Sequence, residues 1–212
     1  LATARPMGKM RGEAESMSTM RTMMVAAVVA AAGCAKDPGA GTGASGPDAP
    51  PPITERTTEA GLVESSIDLD GDGKPEIRNY WRERADAPRL LVRKEVDMNR
   101  DGKADVISYF TDDGVLDREE MDSDYDGFFD WTDHYQKGTR VMSEYDSDND
   151  GKPNVFKYYT RADDGSVHLD RKERDEDGDG KIDVWERFDA TGNVIRMGRD
   201  TDGDGKVDIR EE

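Results

Sequence analysis

One short pattern, Asp-x-Asp/Asn-x-Asp-Gly, occurs six times and dictates most of what this chain can fold into. The copies are Asp68-Asp70-Asp72-Gly73, Asp97-Asn99-Asp101-Gly102, Asp122-Asp124-Asp126-Gly127, Asp146-Asp148-Asp150-Gly151, Asp175-Asp177-Asp179-Gly180 and Asp200-Asp202-Asp204-Gly205. Their starts are 29, 25, 24, 29 and 25 residues apart, the spacing of a repeat architecture. An oxygen-bearing side chain recurs at the ninth position of every copy: Glu76, Asp105, Asp130, Asn154, Asp183 and Asp208. The first, third, fifth and ninth positions of the six copies make 24 sites, of which all but Asn99 and Asn154 are acidic. Turn formation explains Asp at one or two positions per loop. It does not explain a set of like charges that must repel at close range.

The residues between the loops decide the fold class. The tenth position is always apolar (Ile77, Val106, Trp131, Val155, Val184, Ile209), and the fourteenth is aromatic in five copies (Trp81, Phe110, Tyr135, Tyr159, Phe188). Positions four apart share a face in a strand or a helix, so composition must arbitrate. Runs such as Val106-Ile107-Ser108-Tyr109-Phe110 and Val155-Phe156-Lys157-Tyr158-Tyr159 are β-branched and aromatic, which suits strands. Turn signals follow at Asp113-Gly114, Lys137-Gly138, Asp164-Gly165 and Thr191-Gly192, then a short return run leads into the next loop. A helix on each side of a 12-residue loop has no room in repeats of 24–29 residues that a Gly turn divides. The expected fold is all-β: tandem β-hairpin repeats, a meander or solenoid-like row, joined by the Asp-rich loops. The tenth and fourteenth positions are expected to line one face, with neighbouring repeats burying each other's faces.

The charge balance narrows the function. Asp and Glu outnumber Lys and Arg by 48 to 30, for a net charge of −18 among 212 residues, the wrong sign for nucleic acid. One cysteine makes no internal disulfide, and two histidines leave little for His-based catalysis or zinc. His134 and His168 fall at unrelated repeat positions, and the acidic residues are absorbed by the loops, so no catalytic constellation stands out and no enzyme is expected.

The N-terminal part reads as export machinery. Met17, Met20 and Met23 are candidate starts, with Leu1–Ser16 an over-extended beginning. Arg21 precedes an apolar stretch, Met23–Ala32, too short to span a bilayer but suited to a signal segment. Ala31-Ala32-Gly33 directly before Cys34, the only cysteine, resembles a bacterial lipobox, although Ala31 stands where Leu is usual. The resemblance implies cleavage after residue 33, a lipidated Cys34 at the new N-terminus and attachment to the cell envelope. Ala35 after the cysteine, where some bacteria use Asp for inner-membrane retention, favours the outer membrane. Residues 34–52, rich in Gly, Ala, Pro and Ser and closed by Pro50-Pro51-Pro52, read as a flexible tether. The expected division is 1–33 signal, 34–52 anchor and tether, and 53–212 repeat domain.

Carboxylates at alternate positions surround one point if the backbone curls, and Gly at the sixth position permits the curl. Oxygen ligands without His or Cys select a hard cation, calcium above magnesium, with up to six ions. The seventh-position lysines (Lys74, Lys103, Lys152, Lys181, Lys206) are expected to offer their backbone carbonyls and leave their side chains in solvent. These loops resemble the EF-hand calcium loop and its helix-poor relatives, the dockerin and thrombospondin type 3 repeats, over about nine residues per copy. The resemblance implies metal binding through the first, third, fifth and ninth side chains. Its twelfth-position bidentate Glu is matched by Glu186 and Glu211 alone; Asn79, Ser108, Asp133 and Lys157 stand there in the other copies. Loop five, with Asp175, Asp177, Asp179, Asp183 and Glu186, is therefore expected to be the tightest. Tyr80, Tyr109 and Tyr158, all at the thirteenth position, would form a stripe on the opposite face, for cross-strand stacking or for a glycan or peptide. Two functions fit: a calcium-stapled, lipid-anchored scaffold or adhesion module that meets an envelope protein or glycan, or a calcium-responsive sensor or buffer.

Overall fold

The computed structural model describes residues 51–211. The signal segment, Cys34 and nearly all of the tether lie outside the described residues. Thirteen strands follow one another: β1 (Ile53–Thr57), β2 (Val63–Ile67), β3 (Ile77–Arg82), β4 (Leu90–Val96), β5 (Val106–Phe110), β6 (Leu116–Met121), β7 (Trp131–Gln136), β8 (Thr139–Tyr145), β9 (Val155–Arg161), β10 (Val167–Arg174), β11 (Val184–Phe188), β12 (Val194–Arg199) and β13 (Ile209–Glu211). Their order in the sheet is their order in the sequence, and every neighbouring pair is antiparallel. The fold is thus an open meander with β1 and β13 as its edges.

Sequential antiparallel pairing sends alternate connections to opposite ends of the strands. The six Asp loops all join an even-numbered strand to the next odd one, so all six emerge at one end of the sheet. The Gly turns occupy the other end. There Lys137 (φ 51°) and Gly138 (φ 74°) form a two-residue hairpin turn with both residues left-handed, the twist that suits paired strands. Four wider turns close in the same way, with Thr58, Thr111, Ala162 and Asp189 each donating its N–H to the carbonyl four residues on, at 2.8–2.9 Å.

Regularity differs between the two ends. Strand pairs joined by Asp loops run without a shift of register. Of the six hairpins at the other end, β1–β2 pairs without a shift. The remaining five each carry a bulge at the thirteenth and fourteenth positions or directly opposite them, as between Tyr80 and Trp81 or His134 and Tyr135. A bulge adds an unpaired residue and increases local twist.

The core is thin and runs in a row. Val106, Trp131, Val155 and Val184, all at the tenth position, are buried, with Tyr80 and Leu90 the other buried apolar side chains. The aromatic fourteenth position is only half-buried. Contrary to the expectation that neighbouring repeats bury each other's faces, the strands pack edge to edge in one layer. The reason sits between the two apolar rows. The twelfth position shares their face, because successive side chains alternate across a sheet, and it is polar in every copy. Across the sheet these residues pair directly, Ser65 with Asn79, Ser108 with Glu119, Asp133 with Ser143 and Lys172 with Glu186. Trp81 Nε1 donates to Ser65 Oγ (3.0 Å), Ser108 Oγ to Glu119 Oε2 (3.0 Å) and Trp131 Nε1 to Asp133 Oδ1 (2.7 Å).

Candidate metal centres

Each Asp loop is shaped by its own carboxylates. In loop one the first-position Asp68 accepts the N–H groups of Gly71 (2.7 Å) and Gly73 (2.9 Å). Asp70 accepts that of Asp72 (3.1 Å), Asp72 that of Lys74 (2.7 Å), and Glu76 reaches back to Leu69 (2.6 Å). One rung recurs in every other loop: Gly102, Gly127, Gly151, Gly180 and Gly205 each donate to the first-position Asp, at 2.5–2.8 Å. In loops three and four the fifth-position N–H groups of Asp126 (3.2 Å) and Asp150 (3.3 Å) take the place of the fourth-position donor. The curl requires a left-handed residue at the fourth and sixth positions, as at Gly71 (φ 81°) and Gly73 (φ 90°). Loops two, three and four hold Arg100, Tyr125 and Asn149 in that region at the fourth position.

The curl gathers oxygen. Asp68, Asp70, Asp72 and Glu76 place one carboxylate oxygen each within 4.8 Å of one another. So do Asp122, Asp124 and Asp130; Asp146, Asp148 and Asp150; Asp175, Asp177 and Asp183; and Asp200, Asp202 and Asp208. All-oxygen clusters of this size are compatible with a hard divalent cation. Loop two, where Asn99 interrupts the acids Asp97, Asp101 and Asp105, forms no three-carboxylate group. Asp126, Asp179 and Asp204 lie outside the groups of their own loops. For the last two the cause is visible, since Lys181 Nζ stands 3.1 Å from Asp179 and Lys206 Nζ 2.6 Å from Asp204. Asn154 accepts from the Ser147 N–H (2.9 Å), as the ninth-position acids do in their loops.

The twelfth position behaves unlike the calcium loops it resembles. Glu186 lies in β11 opposite Lys172, with Oε2 3.8 Å from Lys172 Nζ and 3.9 Å from Arg174 Nε, and it is not among the carboxylates that loop five gathers. Glu211 lies in β13 and does not join its loop's group either. In an EF-hand the twelfth residue enters a helix and turns back toward the ion. A strand instead advances ~3.3 Å per residue, carrying the twelfth residue ~10 Å beyond the ninth. Loop one, with four convergent carboxylates, is therefore better assembled than loop five.

Successive loops are also fastened together. The N–H of each first-position Asp from loop two onward donates to the carbonyl of the ninth residue of the loop before: Asp97 to Glu76, Asp122 to Asp105, Asp146 to Asp130 and Asp200 to Asp183 at 2.8 Å, and Asp175 to Asn154 at 3.0 Å. Arg100 reaches Asp70 (3.1 Å) and Asn149 reaches Asp124 (3.0 Å) across the same gaps. The seventh-position lysines are exposed, as expected, and three of them also touch the next loop: Lys74, Lys103 and Lys181 lie against Gly102, Gly127 and Gly205. Lys181 Nζ also donates to the Gly203 carbonyl (2.6 Å).

Burial sharpens the electrostatics. Glu76, Asp97, Asp105, Asp122, Asp130 and Asp146 are each 8% exposed or less. Among the described residues the ion pairs reach none of these six. Burial beside Asp124 and Asp122 pushes the Asp130 carboxyl up, against the Ser123 hydrogen bonds that favour its charge. In loop four burial and the shared hydrogen bond with Asp146 hold Asp148 up, whereas the Gly151 N–H helps to keep Asp146 low despite burial.

The thirteenth-position stripe is closed. Arg93 covers the Tyr80 ring at 4.0 Å, Arg118 covers Tyr109 at 4.4 Å and Arg171 covers Tyr158 at 4.0 Å. Tyr80 and Tyr109 donate their hydroxyls to Glu95 and Glu120, each at 3.0 Å. This is cross-strand stacking, with one guanidinium over each ring. His134 stands 3.3 Å from Glu144 on the same face. Comparison of the chain with family models and with curated proteins found no match to either.

Proposed function

We propose that this is a calcium-stapled repeat scaffold, exported and held by a lipid at Cys34 on the bacterial cell envelope, with the outer membrane favoured. It works as a rigid spacer or binding module toward an envelope protein or glycan, without catalysis. The buried acids carry the reading: a buried charge without a counter-charge is costly, and for Glu76, Asp122, Asp130 and Asp146 a divalent ion would supply that counter-charge where carboxylates converge. Calcium also suits the architecture, because each loop is hydrogen-bonded to the one before it, so that ions would set the angle between hairpins. Extracellular calcium modules bind at roughly 10⁻⁴–10⁻³ M. At ten times the dissociation constant each ion adds about 1.4 kcal/mol by mass action. Six such ions would give about 8 kcal/mol, on the scale of the ~5–15 kcal/mol stability of a whole domain. A thin, single-layer core favours this dependence over a sensor that stays folded without metal.

Scanning calorimetry of the full chain with calcium and with chelator tests it. A melting temperature that climbs with calcium and collapses in chelator is expected. A transition indifferent to both leaves an acidic meander without a metal role, and a folded metal-free chain that exposes apolar surface on calcium addition favours the sensor. Mass spectrometry of the membrane fraction should find a diacylated peptide beginning at Cys34; an intact chain in the cytosol would refute the anchor.

A further inference from the structure

Loop three departs from the other five where they agree. Its seventh position is Phe128 where each of the others has lysine, its eighth is Phe129, and its fourth is Tyr125. All three rings stand in solvent: Phe128 is 76% exposed, Tyr125 44% and Phe129 42%. Phe128 is the most exposed large apolar side chain among the described residues. Tyr125 occupies a left-handed position (φ 65°) that loops one, five and six give to glycine, so its ring is kept at a backbone conformation unfavourable to it. None of these rings belongs to the buried row.

The geometry points to a docking tip for a lipid bilayer with anionic headgroups, engaged through the metal of loop three. This rests on the calcium reading above and names the partner of one of its sites. The rings sit in the same nine-residue loop as the convergent oxygens of Asp122, Asp124 and Asp130. Bare carboxylates repel an anionic surface. A calcium ion among them cancels two of the three convergent negative charges and offers lipid phosphate oxygens its remaining coordination positions. Lys103 of loop two, whose Nζ lies 3.0 Å from the place of a β-carbon on Gly127, adds a positive charge beside the tip. Aromatic side chains favour the headgroup level, and an amphipathic surface buries its apolar side a few ångströms into the bilayer. Size selects lipid over protein. A stable protein interface needs about 800 Å² per partner with a complementary shape. Three rings ringed by acids fall short of that, whereas an interface that is fluid demands no matching shape. The tip also points the right way: all six Asp loops emerge at one end of the sheet, so a flat surface approaching that end meets metal sites before it meets strand faces.

The test uses the full chain carrying Cys34→Ser, which removes the thiol expected to bear lipid. Co-sedimentation is measured with phosphatidylcholine vesicles containing a quarter phosphatidylglycerol, in calcium and in chelator, and calorimetry counts the calcium bound. The parent chain should pellet at least about fivefold more in calcium, on anionic vesicles and not on pure phosphatidylcholine. Phe128→Lys with Phe129→Ser should lose that increment while binding the same number of ions with unchanged circular dichroism, and Phe128→Leu should keep most of it. If the double variant pellets like its parent while still taking up calcium, the docking tip is wrong and the calcium scaffold stands. If neither chain takes up calcium, both fall. Calcium-dependent pelleting without vesicles would replace the bilayer by a second copy of the chain.

Discussion

Two aspartates with the same side chain show what the loops do to a carboxylate. Asp189, in the turn between β11 and β12, is satisfied by neutral donors, the Thr191 hydroxyl first and then the Asn193 N–H, and its carboxyl is lowered to about 2. Asp130 is buried beside other carboxylates and is raised. The signs differ in consequence. Asp189 favours folding above its unfolded value and loses that contribution as pH falls toward about 2. Asp130 binds its proton more firmly folded than unfolded, so without metal it opposes folding above its folded value, and the opposition fades on acidification. A bound cation inverts this logic. NMR titration should therefore find Asp130 above the ordinary aspartate value in chelator and below it in calcium, with Asp189 near 2 in both. An Asp130 shift that calcium leaves untouched would remove that residue from the ligand set. Among the glutamates, Glu76→Gln should lower the number or affinity of bound ions, since Glu76 converges with Asp68, Asp70 and Asp72. Glu186→Gln should leave calcium binding unchanged, because that side chain faces Lys172 and Arg174. Calorimetric titration separates them.

The elements were largely legible because each end of a strand carries its own chemical mark. Asp-Gly and Lys-Gly pairs require left-handed backbone, and the structure supplies it at Gly114, Lys137 and Gly138. Val106–Phe110 and Val155–Arg161 are strands, as their β-branched and aromatic content requires. Two features were not legible. Periodicity tells which residues share a face but not whether a second layer covers it, so the single layer came only with the strand order. The role of the twelfth position depended on whether a helix or a strand leaves the loop, which a nine-residue resemblance does not encode. The two kinds of connection should also respond differently to substitution. Gly138→Ala places a β-carbon at φ 74° and should cost about 1–2 kcal/mol, equally in calcium and chelator, because among the described residues the convergent carboxylate groups all lie at the other end. Asp72→Asn keeps an oxygen to accept the Lys74 N–H (2.7 Å) but removes one charge from the loop-one group. It should therefore raise the melting temperature in chelator by relieving repulsion and lower it in calcium by losing a ligand. Paired thermal melts check both, and a loss of the same sign under the two conditions would argue against metal in loop one.

At the scale of the whole sheet stability must be shared along the row, since each strand packs on its sheet neighbours and, among the described residues, no second layer bridges distant repeats. Such arrays fray from their ends, and here the ends are visibly weak: every residue of β1 and β13 is exposed, and most of β12 is as well. The metal contribution should be distributed differently. The deeply buried first- and ninth-position acids belong to loops one to four, whereas the corresponding residues of loops five and six are half-buried or exposed. Exposed carboxylates are solvated and gain less from an ion than buried ones do. Chelation should accordingly loosen the middle of the sheet more than its C-terminal end, although the end is the weaker part in absolute terms. Hydrogen exchange read by mass spectrometry distinguishes the two effects. In calcium, β5 to β9 should be the best-protected stretch, with β1, β12 and β13 exchanging fast. In chelator, the largest loss of protection should fall on β3 to β9, with little change at β12 and β13, which exchange early in both states. A loss spread evenly over all thirteen strands would mean that the sheet unfolds as one cooperative body rather than as a row of coupled hairpins, each fastened at its loop end by an ion.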